Sequence, residues 1–395
     1  MTSRKIALVT TSRADYGIQS HLARILQDDA EVDLSLVVSG THLSPRHGMT
    51  VREIEADGLR IASQVDIGID SEPDVPHMMA KAVVSFSKTL QDIQPEICIL
   101  LGDRFEMMSA AMACTLCRVP IAHLHGGETT EGAVDEVFRH SITKAAWLHF
   151  TACEEYRRRV VQLGESPDRV FNVGALGVEN IRRARLLPRG ELSDRLGIPI
   201  AERLFLVAFH PETASGDVGV SHVDEILCAL DKFPDVTVLF TRPNADTGGD
   251  AIANRFRRYV EVRDNAFMFD SLGMTRYLSA VKVADAVIGN SSSGVIEAPS
   301  LRTPTVNVGD RQKGRIHAAS VIDCPAERNA VLSAISNAVA MSESGEDALF
   351  RNPYESENTS ERIATLVKAA DLSGATKKKF YDLSAVDDVR ERDVP

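Results

Sequence analysis

Gly289-Asn290-Ser291-Ser292-Ser293-Gly294-Val295-Ile296-Glu297, or GNSSSGVIE, is the stretch on which the reading of this chain turns. A short apolar run, Ala286-Val287-Ile288, leads into it, and a helix-compatible run follows. The order is strand, tight turn, helix start. Such a junction offers unpaired backbone N–H groups and the positive end of a helix dipole, which suits a phosphate. Ser291, Ser292 and Ser293 add hydroxyl donors, and Gly294 allows close approach of the backbone. A Ser-capped helix after a buried strand reads the same way. The stretch alone leaves both readings open, and the flanking chain has to choose.

The same alternation extends outward in both directions. Leu204 to Phe209 reads as a strand ending in His210-Pro211-Glu212, and Val236 to Phe240 as one ending in Arg242-Pro243-Asn244-Ala245-Asp246. Ala266 to Phe269 and Ala284 to Ile288 are two more, and Thr305 to Val308 leads to Gly309-Asp310-Arg311. Residues 174–200, with Gly174, Pro188, Gly190, Gly197 and Pro199 among charges, read as a linker. Ahead of it, Lys5 to Thr10, Val32 to Val38, Ile97 to Leu101 and Pro120 to His123 read as strands. Helical spacing covers Leu22 to Leu26, Val51 to Ala56, residues 77–93 and Phe105 to Cys117, while Thr11 to Gly17 reads as a polar loop. This alternation predicts doubly wound parallel α/β domains, which bind ligands beyond the C-terminal ends of their strands. The expected division is 1–180, 181–360, and a C-terminal helix and tail over 361–395, with the tail at Lys377-Lys378-Lys379 partly ordered at most.

Composition bounds the function. A length of 395 residues accommodates two or three domains, and 44% hydrophobic with 25% charged residues is ordinary for a soluble globular chain. The net charge of −12 argues against a general nucleic-acid binder but leaves room for a local basic pocket. Cys114 and Cys117 lie inside the run AAMACTLC and read as buried helix residues, not a metal or redox pair. The chain opens MTSRKIALVTTS, with no long apolar segment. Neither a signal peptide nor a membrane partner is expected, and the expected location is cytoplasmic.

The strand ends carry the chemistry. Arg13, Arg104, Arg311 and Arg315 fall in loops after strands, and arginine forks suit phosphate oxygens. Each alone reads equally as a surface residue or a structural ion pair. Their shared placement, with the serine turn, points to a diphosphate site. Asp15, Asp103, Glu128, Glu131 and Asp135 gather carboxylates at the same ends, and neighbouring carboxylates can be driven apart into one acid and one base. Asp135 can also be only a helix cap. His210 precedes Pro211 after a buried strand, and beside a phosphate site it is a candidate donor to the leaving group. His123, His125 and His140 near Glu128 suggest zinc, but their spacing fits no helical ligand pair, so no metal is expected.

At this point the chain resembles the hydrolysing UDP-N-acetylglucosamine 2-epimerases of bacterial sialic acid synthesis. The resemblance rests on SRADYG at 12–17, LGDRFE at 101–106, HLHGGETTEGAVDE at 123–136, RHSITK at 139–144, FHPET at 209–213, NADTGGD at 244–250, GNSSSGVIEAPSL at 289–301 and NVGDRQKGR at 307–315. It covers nearly the whole chain. It implies a GT-B-like pair of Rossmann-type domains facing across a cleft, with UDP mainly on the second domain. By motif matching, Ser291, Ser292 and Glu297 hold the diphosphate and ribose, and Asn244 lies near the nucleotide. Arg311, Arg13, Arg104 and His210 lie near the phosphates or sugar. The acid/base carboxylates match Asp103 and Asp135, with Glu128 a further candidate. Relatives often carry a Glu where this chain has His125, so the role of that Glu falls to Glu128 or Asp135.

The implied reaction converts UDP-N-acetylglucosamine and water to N-acetylmannosamine and UDP. Elimination of UDP from C1 gives a glycal, and water then adds across the double bond. The first step needs a base at C2 and stabilisation of charge developing on UDP, and no redox cofactor is required. The alternatives are the same reaction on a 2,4-diacetamido-2,4,6-trideoxy sugar carried on UDP or GDP, as in legionaminic acid synthesis, and a GT-B glycosyltransferase. A homodimer or homotetramer is also implied.

Overall fold

The computed structural model describes residues 3–131, 134–212, 219–243 and 248–383. The chain forms two units: residues 1–128, 135–179 and 356–395 make the first, and 129–134 with 180–355 make the second.

The first unit is built on seven strands: β1 (Arg4–Thr10), β2 (Val32–Ser39), β3 (Ile61–Val65), β4 (Ile97–Leu101), β5 (Ile121–Leu124), β6 (Leu148–Thr151) and β7 (Val170–Asn172). They lie parallel in the order 3-2-1-4-5-6-7. Helices α1 (Arg13–Asp28), α2 (Val51–Ala56), α3 (Val75–Ile93), α4 (Phe105–Leu116), α5 (Asp135–Ala145) and α6 (Glu154–Gln162) connect them, and α7 (Leu176–Arg183) follows β7 and runs into the second unit. Strands covered on both faces read as continuous apolar runs, and successive side chains alternate between the faces. Ile6 and Leu8 pack with Leu22 and Leu26 of α1, whereas Ala7 and Val9 pack with Phe86 of α3 and Met107 of α4.

The second unit repeats the design with α8 (Arg189–Leu196), β8 (Leu204–Ala208), α9 (Val220–Leu230), β9 (Thr237–Thr241), α10 (Gly249–Val260), β10 (Ala266–Phe269), α11 (Gly273–Val283), β11 (Ala286–Gly289), α12 (Ser292–Ile296), β12 (Thr305–Val308), β13 (Val321–Cys324) and α13 (Arg328–Ser344). Its strands are parallel in the order 10-9-8-11-12-13. Phe205 and Val207 pack toward α9 and α13, and Leu204 and Leu206 toward α8 and α11.

In each sheet the strand order reverses once, between β1 and β4 and between β8 and β11. Those are the topological switch points, where loops diverge and open a crevice at the strand ends. Arg13 and Asp103 follow β1 and β4, and His210 and the serine turn follow β8 and β11.

Four readings change. Residues 174–200 are not a plain linker: they carry α7 and α8, whose Leu192 and Leu196 are buried among apolar neighbours. Thr11 to Gly17 is not all loop, because α1 starts at Arg13 with Ser12 as its N-cap, the hydroxyl accepting from Asp15 N. β3, β6, β7 and β13 are strands beyond those expected from the sequence; they are three to five residues long and interrupted by polar side chains. The C-terminal helix α14 (Thr359–Ala369) belongs to the first unit, with Ile363 and Val367 packed in the α1 layer. Glu179 accepts from the Ser360 amide at 3.1 Å, and the Thr359 hydroxyl donates to Val173 O at 2.7 Å. Lys378 donates to both carboxylate oxygens of the fully buried Glu165 at 2.9 Å.

Candidate active site

The first unit gathers proton-handling groups at the ends of β4 and β5. Asp103 follows Gly102, whose φ of +78° turns the chain out of β4. Its Oδ2 accepts from Arg139 Nε at 2.8 Å and also from Nη2. The Arg139 side chain is 1% exposed, and its Nη1 donates to Glu128 O at 2.9 Å and to Glu136. One guanidinium thus ties the β4 turn to the β5 loop. Within RHSITK the sequence reading above names His140 and not Arg139. Arg139, one helical turn after Asp135 on α5, was legible as a same-face neighbour of that carboxylate. Asp135 is the first residue of α5 and is half-buried.

Glu128 is 2% exposed and accepts from His125 Nδ1 at 2.7 Å. His125 is not on the strand: β5 ends at Leu124, and His125 takes a left-handed φ of +63°. Gly127, at φ +79°, can only be glycine, because a Cβ there would lie 2.4 Å from Tyr156 O. His123 points into the fold, with Nε2 donating to Gly102 O at 2.8 Å and Nδ1 accepting from Thr143 at 3.0 Å. Burial pushes its pKa down to about 3, so it stays neutral. His140 pairs with Glu136 at 3.0 Å. These histidines therefore do not converge as a ligand set among the described residues. The group whose ligand atoms do approach one another is His21, Glu179 and Glu361, at the start of α14.

Arg104, Asp15 and Arg13 follow β4 and β1. Arg104 Nε and Nη2 donate to Glu106 at 3.2 and 3.3 Å, and burial raises the pKa of the fully covered Glu106. Asp15 is committed to Thr11, whose hydroxyl donates to it at 2.6 Å. Arg13 opens α1 half-buried, its pKa lowered by burial and partly restored by the charge of Glu53.

In the second unit, Asn290 is fully buried at the end of β11. Its Oδ1 accepts from His210 N at 2.7 Å and its Nδ2 donates to His210 O at 2.9 Å. Its carbonyl accepts from Arg311 Nη1 at 3.1 Å and Gln312 Nε2 at 2.8 Å. Asn290 therefore joins the loops after β8, β11 and β12. Burial first, and the charge of Arg311 second, push His210 down to about 3, so it is neutral near pH 7. Arg315 is directed at the Gln312 side chain, at 2.9 Å.

The serine turn also departs from expectation. Ser291 sits at the N-cap of α12, but its hydroxyl makes no cap bond. α12 is only five residues long, too short for a strong dipole, so the anion-binding features of the turn are its amides and hydroxyls. Gly294 packs on Thr305: a Cβ there would lie 2.7 Å from Thr305 Cγ2. The Tyr277 hydroxyl lies beside Ser291 and Ser293, and burial pushes its pKa up to about 12. Glu297 is half-buried at the C-cap. Asn244 lies outside the described residues.

The family model for UDP-N-acetylglucosamine 2-epimerase matches residues 24–368. The chain belongs to this family. It is 39% identical over 386 residues to polysialic acid biosynthesis protein P7 of Escherichia coli, covering 96% of this chain and 98% of that one. It is 38% identical over 326 residues to the GDP/UDP-N,N'-diacetylbacillosamine 2-epimerase (hydrolyzing) of Campylobacter jejuni, covering 82% of this chain and 85% of the other. Among solved structures, it resembles a UDP-GlcNAc 2-epimerase from Neisseria meningitidis bound to UDP-GlcNAc, with a TM-score of 0.78, 14% identity, and coverage of 92% and 99%. At that identity the likeness concerns the fold, a GT-B-like two-domain α/β architecture. No helix among the described residues of this family member is long and apolar enough to cross a membrane.

Proposed function

We propose that the protein is a hydrolysing 2-epimerase that converts UDP-N-acetylglucosamine and water to N-acetylmannosamine and UDP. The observation that carries this reading is the Arg139 clamp, which gathers Asp103 and the Glu128 loop at one set of strand ends. Inverting C2 of a 2-acetamido sugar requires a proton to leave one face and another to arrive at the opposite face. No neighbouring carbonyl acidifies that C–H bond, so loss of UDP from C1 must accompany its removal. Proton-transfer groups held on rigid strand ends suit that chemistry. In this reading Asp103, Asp135 and the Glu128 loop serve the sugar. Ser291, Ser292, Glu297, Arg311 and Arg13 serve UDP, with His210 neutral beside the diphosphate. Arginine and hydroxyl donors favour the charge that develops on the departing phosphate.

A second reading keeps the reaction and changes the sugar to a 2,4-diacetamido-2,4,6-trideoxy sugar on UDP or GDP. The Campylobacter relative's name favours it. A panel of nucleotide sugars incubated with the protein in D2O and followed by NMR tests both. The expected products are free nucleotide and the 2-epimeric sugar with deuterium at C2. A glycosyltransferase would instead require an acceptor and place no deuterium at C2. Intact nucleotide sugars across the panel would sink the 2-epimerase reading.

A further inference from the structure

We propose that His125 is the base of the elimination step, its Nε2 taking the C2 proton while Glu128 acts as the positioning carboxylate behind it. This rests on the 2-epimerase reading above and moves Glu128 from proton carrier to orienting group.

The geometry is that of a carboxylate–imidazole dyad. His125 Nδ1 and Glu128 Oε1 are 2.7 Å apart, and the side chains are 14% and 3% exposed. An ionised carboxylate only accepts, so the bond places the proton on Nδ1. That leaves a lone pair on Nε2. Nε2 is itself covered, yet it has no hydrogen-bond partner among the described residues. A buried imidazole nitrogen without a partner is costly unless something else completes it. His123, two residues earlier, is the contrasting case, with both ring nitrogens satisfied inside the fold.

The backbone is shaped to present this pair. His125 holds φ at +63°, a region that is unfavourable for a non-glycine residue and persists only where the surroundings enforce it. Its amide donates to Phe150 O at 2.8 Å, which pins the start of the loop. Gly126 and Gly127 then reverse the chain where side chains would clash with Thr143 and Tyr156 O. The two glycines bring residue 128 back onto residue 125. Arg139 holds the Glu128 carbonyl and, through Nε, Asp103, so dyad and aspartate share one anchor. Asp103 Oδ2 already receives two N–H groups from Arg139, whereas His125 Nε2 receives none.

The step balances as follows. The C2–H bond breaks and its proton passes to Nε2, while its electron pair forms the C1=C2 double bond. The C1–O bond breaks and its pair leaves on the UDP oxygen. Glu128 stabilises the imidazolium that forms, as a carboxylate does behind a catalytic histidine. A second acid then protonates the opposite face of C2 and regains a proton from the water whose hydroxide adds to C1. The proton on His125 is lost to solvent.

The test uses His125→Gly, because glycine adopts the left-handed backbone without strain and preserves the loop. With nucleotide sugar as substrate, kcat is expected to fall by about 10²–10⁴-fold. KM and UDP affinity should stay within a few-fold, and added imidazole should restore part of the rate. Glu128→Gln should lower kcat with KM little changed. In the nitrogen-15 histidine spectrum, wild-type His125 should carry its neutral-state proton on Nδ1, and Glu128→Gln should redistribute it. A His125→Gly variant with near wild-type kcat, or a wild-type His125 protonated on Nε2 alone, would overturn the proposal. If the wild-type chain releases nucleotide from no sugar, the 2-epimerase reading falls, while the nitrogen-15 spectrum still decides the dyad.

Discussion

Replacing Arg139 with methionine should separate the Asp103 clamp from its surroundings. The guanidinium is buried and joins Asp103, Glu136 and the Glu128 carbonyl. Removing one partner of a fully buried ion pair costs about 3–5 kcal/mol, because the other charge is stranded. Here the stranded carboxylates are 24% and 25% exposed, so water can reach both. Methionine also fills most of the arginine stem. The expected loss is therefore smaller, about 2–3 kcal/mol, with roughly 1 kcal/mol of it from the unpaired Glu128 carbonyl. At about 2–4 °C per kcal/mol for a domain of this size, the melting temperature should drop by about 4–12 °C. Releasing Asp103 from a two-pronged grip should also cost about 10²-fold in kcat, the scale expected for misplacing a reacting group by an ångström. Arg139→Lys should fall between, since an ammonium replaces one contact but not the fork. Thermal melts and nucleotide-release rates check both halves. An Arg139→Met variant that melts within about 1 °C of wild type and turns over within about 2-fold would refute the reasoning, because the measured loss would lie far below these estimates.

Three further outcomes follow from the geometry. Ser291→Ala should weaken UDP binding by about 10-fold in calorimetry while leaving the melting temperature nearly unchanged, since the hydroxyl makes no cap bond; wild-type affinity for UDP would remove Ser291 from the nucleotide site. Gly289→Ala should cost about 3 kcal/mol or more in urea unfolding, because its Cβ would lie 2.1 Å from Ala208 O at φ +134°; an unchanged midpoint would contradict the packing. At Glu165, burial works to raise the pKa, but hydrogen bonds from His149, Lys144 and Lys378 bring it down to about 2. A depressed carboxylate pKa stabilises the fold above the unfolded value near 4.5, and that contribution, roughly 3 kcal/mol, disappears as pH falls from there toward 2. The stability gap between wild type and Glu165→Gln should therefore be full at pH 7 and close over that range, and a gap independent of pH would count against the network.

Much of the fold was legible along the chain. Strands buried on both faces show as unbroken apolar runs, which is why Ile97–Leu101 and Thr305–Val308 were read with their observed bounds. Short strands such as Val170–Asn172 escaped because three residues carry no period. The helices of 176–196 are hidden by proline, glycine and charge, although α8 buries Leu192 and Leu196.

The sequence by itself determined the α/β alternation, the family, and the placement of charged and hydroxyl residues at strand ends, because these are written in local order. Only the tertiary structure decided which atoms each of those residues meets. It paired Arg104 with a buried Glu106, packed Gly294 on Thr305, and left the serine turn on a five-residue helix whose N-cap hydroxyl makes no cap bond. It also brought Arg139 onto Asp103, thirty-six residues away, and folded Glu128 back onto His125 through two glycines. Partner choice depends on which atoms arrive within hydrogen-bonding distance and whether water is excluded there. Neither can be read from spacing along the chain.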